Sequence, residues 1–300
     1  MEQQYTKDSV EPGQLYVVGT PIGNLEDMTF RAVKTLQTVD LIAAEDTRHT
    51  GKLLQHFQIN TPQISYYQHN QQRRIPELLN LLQQGKAIAI VTDAGMPGIS
   101  DPGYELVKAC VETNILVIPI PGVSASITAL SVSGLDSDQF VFEGFLPTKG
   151  KNRKQRLAAL KAENRTIILY ESPHRLRQTL KDLLEILDPQ KSIVIGRELT
   201  KRYETIWRGN LQDAEQFYRE TEPKGEFTLV IAGSQPELPD LSEAEMVSEL
   251  QQLMQQGISP SQASRRLAEV TTWSRRQIYQ LVLTLGDIKS PIDAKQTDPE

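Results

Sequence analysis

The stretch Val91-Thr92-Asp93-Ala94-Gly95-Met96-Pro97-Gly98-Ile99-Ser100-Asp101-Pro102-Gly103 decides how this chain is read. It follows the apolar run Ala87–Val91, which has the pattern of a buried strand, and precedes a helical pattern over Tyr104–Thr113. Its closely spaced glycines and prolines can continue neither element. They build a shaped loop at the carboxyl end of a strand, where open α/β sheets bind their ligands. Asp93 and Asp101 bring carboxylates to that loop, and the glycines allow a ligand close to the backbone. A second such loop, Val18-Gly19-Thr20-Pro21-Ile22-Gly23-Asn24-Leu25, follows the strand pattern Leu15–Thr20. Two elaborated strand-end loops point to a ligand-binding enzyme.

Outward from these loops, strand and helix patterns alternate: strands at Leu41–Glu45, Gln63–Tyr67 and Leu116–Pro121, helices near Thr29–Val39 and Arg73–Gln84. This alternation predicts an α/β domain with a largely parallel sheet over residues 14–121, ending at the breaker Pro121-Gly122. Ser124–Ser133 reads as a helix of small residues. It opens a second α/β domain over 122–234, with strands at Phe140–Phe145, Thr166–Tyr170, Ser192–Ile195, Tyr203–Arg208 and Glu226–Ala232, and a helix at Arg175–Leu187. Turns at Arg208-Gly209-Asn210 and Lys224-Gly225 suggest a mixed or antiparallel sheet there. Beyond the linker Gln235–Asp240 the strand signal stops. Three helices, Leu241–Gln256, Ser261–Val270 and Ser274–Leu285, form a helix-turn-helix-like domain over 241–286. Residues 1–13 and 287–300 read as flexible tails.

Three hundred residues with 39% apolar and 23% charged content fit a soluble globular chain. No apolar run approaches the ~18 residues of a membrane span, and the start has no secretory signal pattern. A single cysteine, Cys110, fits a reducing cytoplasm and reads as core. The four histidines lack ligand spacing, so no metal is expected. The net charge of −6 hides basic clusters: Lys149, Lys151, Arg153, Lys154 and Arg156; Arg265, Arg266, Arg275 and Arg276; and Lys201, Arg202 and Arg208, diluted by Glu198 and Glu204. Three clusters on an acidic chain make a polyanionic substrate plausible.

Further groups crowd at strand tips. Glu45-Asp46-Thr47-Arg48-His49 reads either as a cleft lining or as a helix N-terminus capped by Asp46 or Thr47, with Arg48 paired to an acid. Gly19–Asn24 has neither dinucleotide-fingerprint spacing nor the lysine of a phosphate loop. Glu171-Ser172-Pro173-His174-Arg175 and Gly196-Arg197-Glu198-Leu199-Thr200-Lys201 end strands of the second domain. No nucleophile set is apparent, so catalysis by positioning is expected.

Together Leu15–Leu25, Ala44-Glu45-Asp46-Thr47-Arg48, Val91–Gly103, Pro121-Gly122-Val123-Ser124-Ala125, Tyr170–Arg175 and Arg197–Lys201 resemble the tetrapyrrole methylase superfamily, over about residues 14–286. Pro21 and Asn24 replace the glycine-rich pattern of its tetrapyrrole-modifying members. The helical appendage is similar to the branch that methylates the ribose 2′-hydroxyl of a decoding-region cytidine in small-subunit (16S) ribosomal RNA. The resemblance implies two α/β domains with the active-site cleft between them, S-adenosylmethionine as methyl donor, and a cytoplasmic homodimer. By position it assigns the donor to Pro21, Asp93, Ala94, Gly95, Ile99, Ser100, Ser124, Ala125, Glu171 and Phe227.

A ribose 2′-oxygen attacking a sulfonium methyl must lose a proton, so Glu45, Asp46, Asp93 and Glu198 are candidate bases, with a carboxylate near Arg48 preferred. The expected catalytic set is Glu45, Arg48 and Glu198. Lys151, Arg153, Arg175, Arg197, Lys201, Arg265, Arg275 and Arg276 are candidate contacts to RNA, free or in the assembled 30S subunit. Two other functions fit parts of the pattern. A small-molecule (tetrapyrrole or precorrin) methyltransferase would not need the C-terminal arginines. A non-enzymatic nucleic-acid-binding regulator would not need the Asp93 loop.

Overall fold

A computed structural model describes residues 10–234 and 239–287. The chain forms two compact units, 1–234 and 235–300.

The first half of the large unit runs β1 (Leu15–Val18), α1 (Phe30–Thr38), β2 (Leu41–Ala44), α2 (Thr47–His56), β3 (Gln63–Ser65), α3 (Gln71–Gln83), β4 (Ile88–Val91), α4 (Tyr104–Glu112) and β5 (Val117–Ile120). The five strands form a parallel sheet in the order β3-β2-β4-β1-β5. Because side chains alternate along a strand, each strand supplies both faces. Tyr16, Val18, Ala89 and Val91 meet Ala32, Leu36 and Leu54 of α1 and α2. Leu15, Ile88 and Ile90 meet Leu78, Leu82, Leu106 and Cys110 of α3 and α4 on the other side. A sheet covered on both faces needs continuous apolar strands, hence the wholly buried Ile-Ala-Ile-Val of β4. From β1 the chain leaves toward β2, and from β4 it crosses to β5 on the opposite side. The two connections cover opposite faces of the sheet, and the loops after these adjacent strands lie side by side at its carboxyl end, where α/β sheets bind ligands.

Pro121–Ser124 leads into α5 (Ala125–Ser133), β6 (Phe140–Phe145), α6 (Gly150–Lys161), β7 (Thr166–Glu171), α7 (Pro173–Leu184), β8 (Ser192–Arg197), β9 (Thr205–Asn210), α8 (Leu211–Glu220) and β10 (Phe227–Ile231). The sheet order is β6-β7-β10-β8-β9. Only β6 and β7 run parallel; β10 is antiparallel to β7 and β8, and β8 to β9. Ala129 and Leu130 of α5 cover Ile168, Val194 and Val230. Helices α6, α7 and α8 cover Ile167, Leu169, Ile195 and Leu229 on the opposite face.

Two local expectations are corrected. Arg208-Gly209-Asn210 is not a turn: β9 continues to Asn210, whose side chain then caps α8 by accepting from the Asp213 amide at 2.8 Å. The reversal lies earlier, at 198–204, where Glu198 and Thr200 have φ of 51° and 66°. The N-terminal tail is also shorter than residues 1–13. Val10 packs on the first core and the Glu11 amide donates to the Tyr16 hydroxyl at 2.7 Å. Residues 1–9, 235–238 and 288–300 lie outside the described residues, and so does most of the expected C-terminal tail.

The small unit holds α9 (Glu243–Gln255), α10 (Pro260–Val270) and α11 (Arg275–Asp287). Capping boxes start the first two: Ser242 with Glu245, and Ser259 with Gln262. Met246, Leu250, Ala263, Leu267, Ile278 and Val282 form its core. Among the described residues no helix is long and apolar enough to cross a membrane.

Candidate active site

Three loops meet at the carboxyl ends of β1, β4 and β5. Thr20 and Gly95 exchange backbone hydrogen bonds at 2.9 and 3.1 Å, bridging the first two loops. Gly19 and Gly122 pack backbone to backbone: a Cβ built on Gly122 would sit 2.7 Å from the Gly19 Cα. Only glycine at both positions permits this approach. Gly95 also needs the left-handed region, with φ of 78°.

Above these loops lies a cavity of about 340 Å³, within the ~300–1,000 Å³ range of small-molecule sites. Ala94, Gly95, Ile99 and Ser100 line it from the β4 loop, Ser124 and Ala125 from the start of α5, and Glu171 and Phe227 from the second sheet. Eight of the ten residues assigned to the donor thus share one cavity. Two do not line it. Pro21 is buried, and its neighbour Ile22 faces the cavity instead. Asp93 points to the tip of β2: its Oδ1 accepts from the Asp46 amide at 3.2 Å, and its own amide donates to Glu45 Oε2 at 3.2 Å. Met96, Asp101, Phe145, Tyr170 and Glu226 also line the cavity and were not anticipated. The Tyr170 hydroxyl accepts from the Ser126 amide at 3.1 Å and so ties the second sheet to the start of α5.

The carboxyl groups separate by environment. Asp101 keeps an exposed edge, but withdrawal from water, then the charges of Glu45, Asp93 and Glu226, push it up to about 7. Burial, opposed by the Asp93 amide, also raises Glu45. Asp46 behaves oppositely. It caps α2, accepting from the Arg48 amide at 2.8 Å, and pairs with the Arg48 guanidinium at 2.7 Å, which holds it well below the usual range. Arg48, 89% exposed, is held by this local pair. The carboxylate beside Arg48 is therefore a poor proton acceptor. Glu198 is another: burial pushes it up, but the Glu226 amide and Lys201 outweigh this and hold it down. Lys201 bridges Glu198 at 3.1 Å and Glu226 at 2.7 Å. Asp101 lines the cavity with a raised pKa, which inspection of the sequence did not single out. Its loop was visible, but two of the three carboxylates that raise it, Glu45 and Glu226, come from distant segments.

Two arginines expected on RNA are interior struts. Arg153, 7% exposed, donates to Asp182 at 2.7 Å, the Pro147 carbonyl at 2.9 Å and Thr179 Oγ1 at 3.0 Å. Arg175 donates to the Leu146 carbonyl and pairs with Glu171 at 3.4 Å. Glu171 also accepts from the Ser172 amide at 2.8 Å and Thr179 at 2.5 Å, so its carboxylate is spent within the protein. Lys151, Arg265, Arg275 and Arg276 are exposed. Arg265 pairs with Glu269 at 3.2 Å, and Arg275 donates to Ser261 Oγ at 3.1 Å. Arg197 donates to the Lys224 carbonyl at 2.6 Å. Among the described residues no cluster of His, Cys, Asp and Glu could hold a metal ion.

A parallel sheet whose bridged β1 and β4 loops border a cavity, faced by a mixed sheet, defines an α/β protein with a ligand site at its strand ends. The chain belongs to the tetrapyrrole (corrin/porphyrin) methylases, whose family model matches residues 14–215. It is 63% identical over 274 residues to the ribosomal RNA small subunit methyltransferase I of Synechocystis sp., covering 91% of this chain and 98% of that protein. The Escherichia coli O157:H7 protein of the same name is 46% identical, covering 94% of this chain and 99% of its own. Coverage that high extends past residue 215 into the three-helix unit. Among solved structures, diphthine synthase aligns with TM-score 0.58 at 12% identity, covering 73% of this chain and 90% of that one. Uroporphyrin-III C-methyltransferase from Thermus thermophilus, complexed with S-adenyl homocysteine, aligns with TM-score 0.55 at 17% identity over 73% and 97%. These two share the fold.

Proposed function

We propose that the protein is an S-adenosylmethionine-dependent methyltransferase of small-subunit ribosomal RNA, acting on the ribose 2′-hydroxyl of a cytidine. The near-full-length identity to proteins named for that substrate, three-helix unit included, carries this proposal. The cavity fits the donor in size and chemistry. Ile22, Ile99 and Phe227 offer apolar walls, and Asp101 and Glu226 offer negative charge for a cation. The Ser124 side chain makes no capping bond to α5 and the Ser126 amide is taken by the Tyr170 hydroxyl, which leaves the Ala125 amide at the helix start for an anionic group. Bound S-adenosylmethionine supplies an electrophilic methyl on a cationic sulfur.

The chain's own residues do the rest. The Gly19–Gly122 contact and the Thr20–Gly95 bridge fix the loops that hold the donor, so positioning is built into the backbone. Asp101 accepts the 2′-hydroxyl proton. A carboxyl titrating at about 7 is a stronger base than an ordinary one, yet remains substantially ionised at neutral pH. Attack through the 2′-oxygen restricts the acceptor to RNA. Lys151, Arg197, Lys201, Arg265, Arg275 and Arg276 neutralise phosphates, giving salt-sensitive binding. The working form is proposed to be a cytoplasmic homodimer acting on the 30S subunit.

The family's name supports one other acceptor, a tetrapyrrole. Labelled donor offered with small ribosomal subunits from cells lacking this protein, and separately with a uroporphyrinogen, distinguishes the two. Label is expected in the RNA; label in the tetrapyrrole alone would overturn the proposal.

A further inference from the structure

A second cavity, of about 270 Å³, lies on the far side of Phe227, between β9, α8 and the loop 221–226. Its wall is a continuous run of rings. Trp207 and Phe217 lie nearly parallel, 6.0 Å apart at 30°. Phe217 meets Tyr218 edge-on at 5.0 Å, and Tyr218 meets Phe227 edge-on at 5.7 Å. Close-packed interiors leave few voids larger than a water molecule, so an open cavity beside four rings is not leftover core. Phe217 is 41% exposed. The Trp207 ring lies across Gly209, where any Cβ would come within 2.5 Å of it. That glycine keeps the indole flat against the strand. At the rim, Arg197 is anchored by the Lys224 carbonyl at 2.6 Å, and Lys224 meets Glu222 at 3.2 Å. The cavity thus sets one exposed ring, Phe217, backed by Trp207, beside two cations, a pairing that single-stranded nucleic acid uses. Only the buried Phe227 ring, which lines both cavities, stands between it and the donor site.

We propose that this aromatic cavity is a stacking site for a nucleobase of the RNA strand, near the nucleotide whose ribose enters the donor cleft, with Arg197 and Lys224 on the adjoining phosphate. The proposal rests on RNA being the substrate. Base–aromatic stacking tolerates any base, so the cavity holds the strand in place without reading its sequence. It would raise the time the target spends in the cleft and act on RNA binding, not on the chemical step.

The test uses the full-length protein and a short single-stranded oligoribonucleotide carrying one 2-aminopurine, whose fluorescence falls on stacking. Wild type is expected to quench it. Trp207→Leu and Phe217→Leu keep apolar bulk but lose the flat face, and Phe217, being exposed, is the safer for folding. Each should weaken RNA binding about 5-fold or more, the lower end of the range for one stacked base. The KM for RNA should rise at constant kcat, with S-adenosylhomocysteine affinity unchanged. Variants that bind and quench like wild type would overturn the proposal. So would competition by cytidine monophosphate as effective as that by the strand, which would make the cavity a mononucleotide site. Failure of the RNA-substrate reading looks different, since wild type itself would neither bind nor methylate RNA.

Discussion

Alanine at Gly122 should damage both stability and donor binding, by amounts that follow from the contact it creates. The new Cβ would lie 2.7 Å from the Gly19 Cα, 2.8 Å from its carbonyl carbon and 3.0 Å from its oxygen. Ordinary contact begins near 3.4 Å, so the two loops must part by roughly 0.7 Å. All three atoms are backbone, and no side chain can swing aside. The strands cannot slide cheaply, because Val18 pairs with Ile120 and the Gly19 amide donates to the Ile120 carbonyl at 3.1 Å. Overpacking of this kind costs about 1–3 kcal/mol, and the strained hydrogen bond adds about 1 kcal/mol. For a unit of this size the Tm should fall by roughly 4–16 °C. Ser124 and Ala125 lie two and three residues beyond Gly122, so the donor cavity shifts with it. Misplacement approaching 1 Å costs up to about 100-fold in rate. Gly51→Ala is the control: it lies in α2 and its Cβ would meet only the end of the Gln63 side chain, so helix propensity should leave stability equal or higher by up to about 1 kcal/mol. Scanning calorimetry and titration with S-adenosylhomocysteine read both quantities. Gly122→Ala with wild-type Tm and wild-type affinity would refute the claim that the glycine pair sets the cleft.

Other consequences are separable. Asp101→Asn should lower methyl transfer by about 10²–10⁴-fold, far more than it weakens donor binding, and should abolish a rise in wild-type rate with pH centred near 7. The same group has a stability signature. Its native value of about 7 exceeds the unfolded 3.8, so the native state binds the proton more tightly and the group's contribution to stability is lost as pH rises from about 4 through 7. A pH series of Tm should be flatter in Asp101→Asn. Arg153→Met should cost about 3–5 kcal/mol by stranding Asp182, a Tm loss of roughly 6–20 °C, with no change in the salt slope of RNA binding. Arg276→Ser should do the reverse, leaving Tm in place and reducing that slope by about one.

The first sheet was readable because its strands are buried on both faces. Ile88–Val91 carries no polar residue to interrupt the pattern, and the loop after it announces its own irregularity through glycine and proline. Helix α6 was not readable. Its inner face is Arg153, Leu157 and Leu160, and a buried arginine counts as polar in any periodicity. The same substitution of charge for hydrophobe made Arg153 look like a surface contact. Gly209 imitated a turn, although it serves as the floor beneath Trp207. At Glu45–His49 the helix-cap reading described the local structure: Asp46 caps and Arg48 pairs with it. The donor residues clustered because strand-end loops converge wherever β1 and β4 lie side by side. The proposed base was hidden because nothing within the loop distinguishes Asp101 from Asp93. Only the approach of Glu45 and Glu226 from elsewhere in the chain separates them.

The most direct test of ribose methylation uses the chemistry of the 2′-oxygen itself. Small-subunit RNA labelled by this protein from methyl-labelled S-adenosylmethionine would be hydrolysed in alkali, a cleavage that needs a free 2′-hydroxyl. Label recovered in an alkali-stable dinucleotide with cytidine on its 5′ side is the predicted result. Label in ordinary mononucleotides would place the methyl on a base and contradict the account.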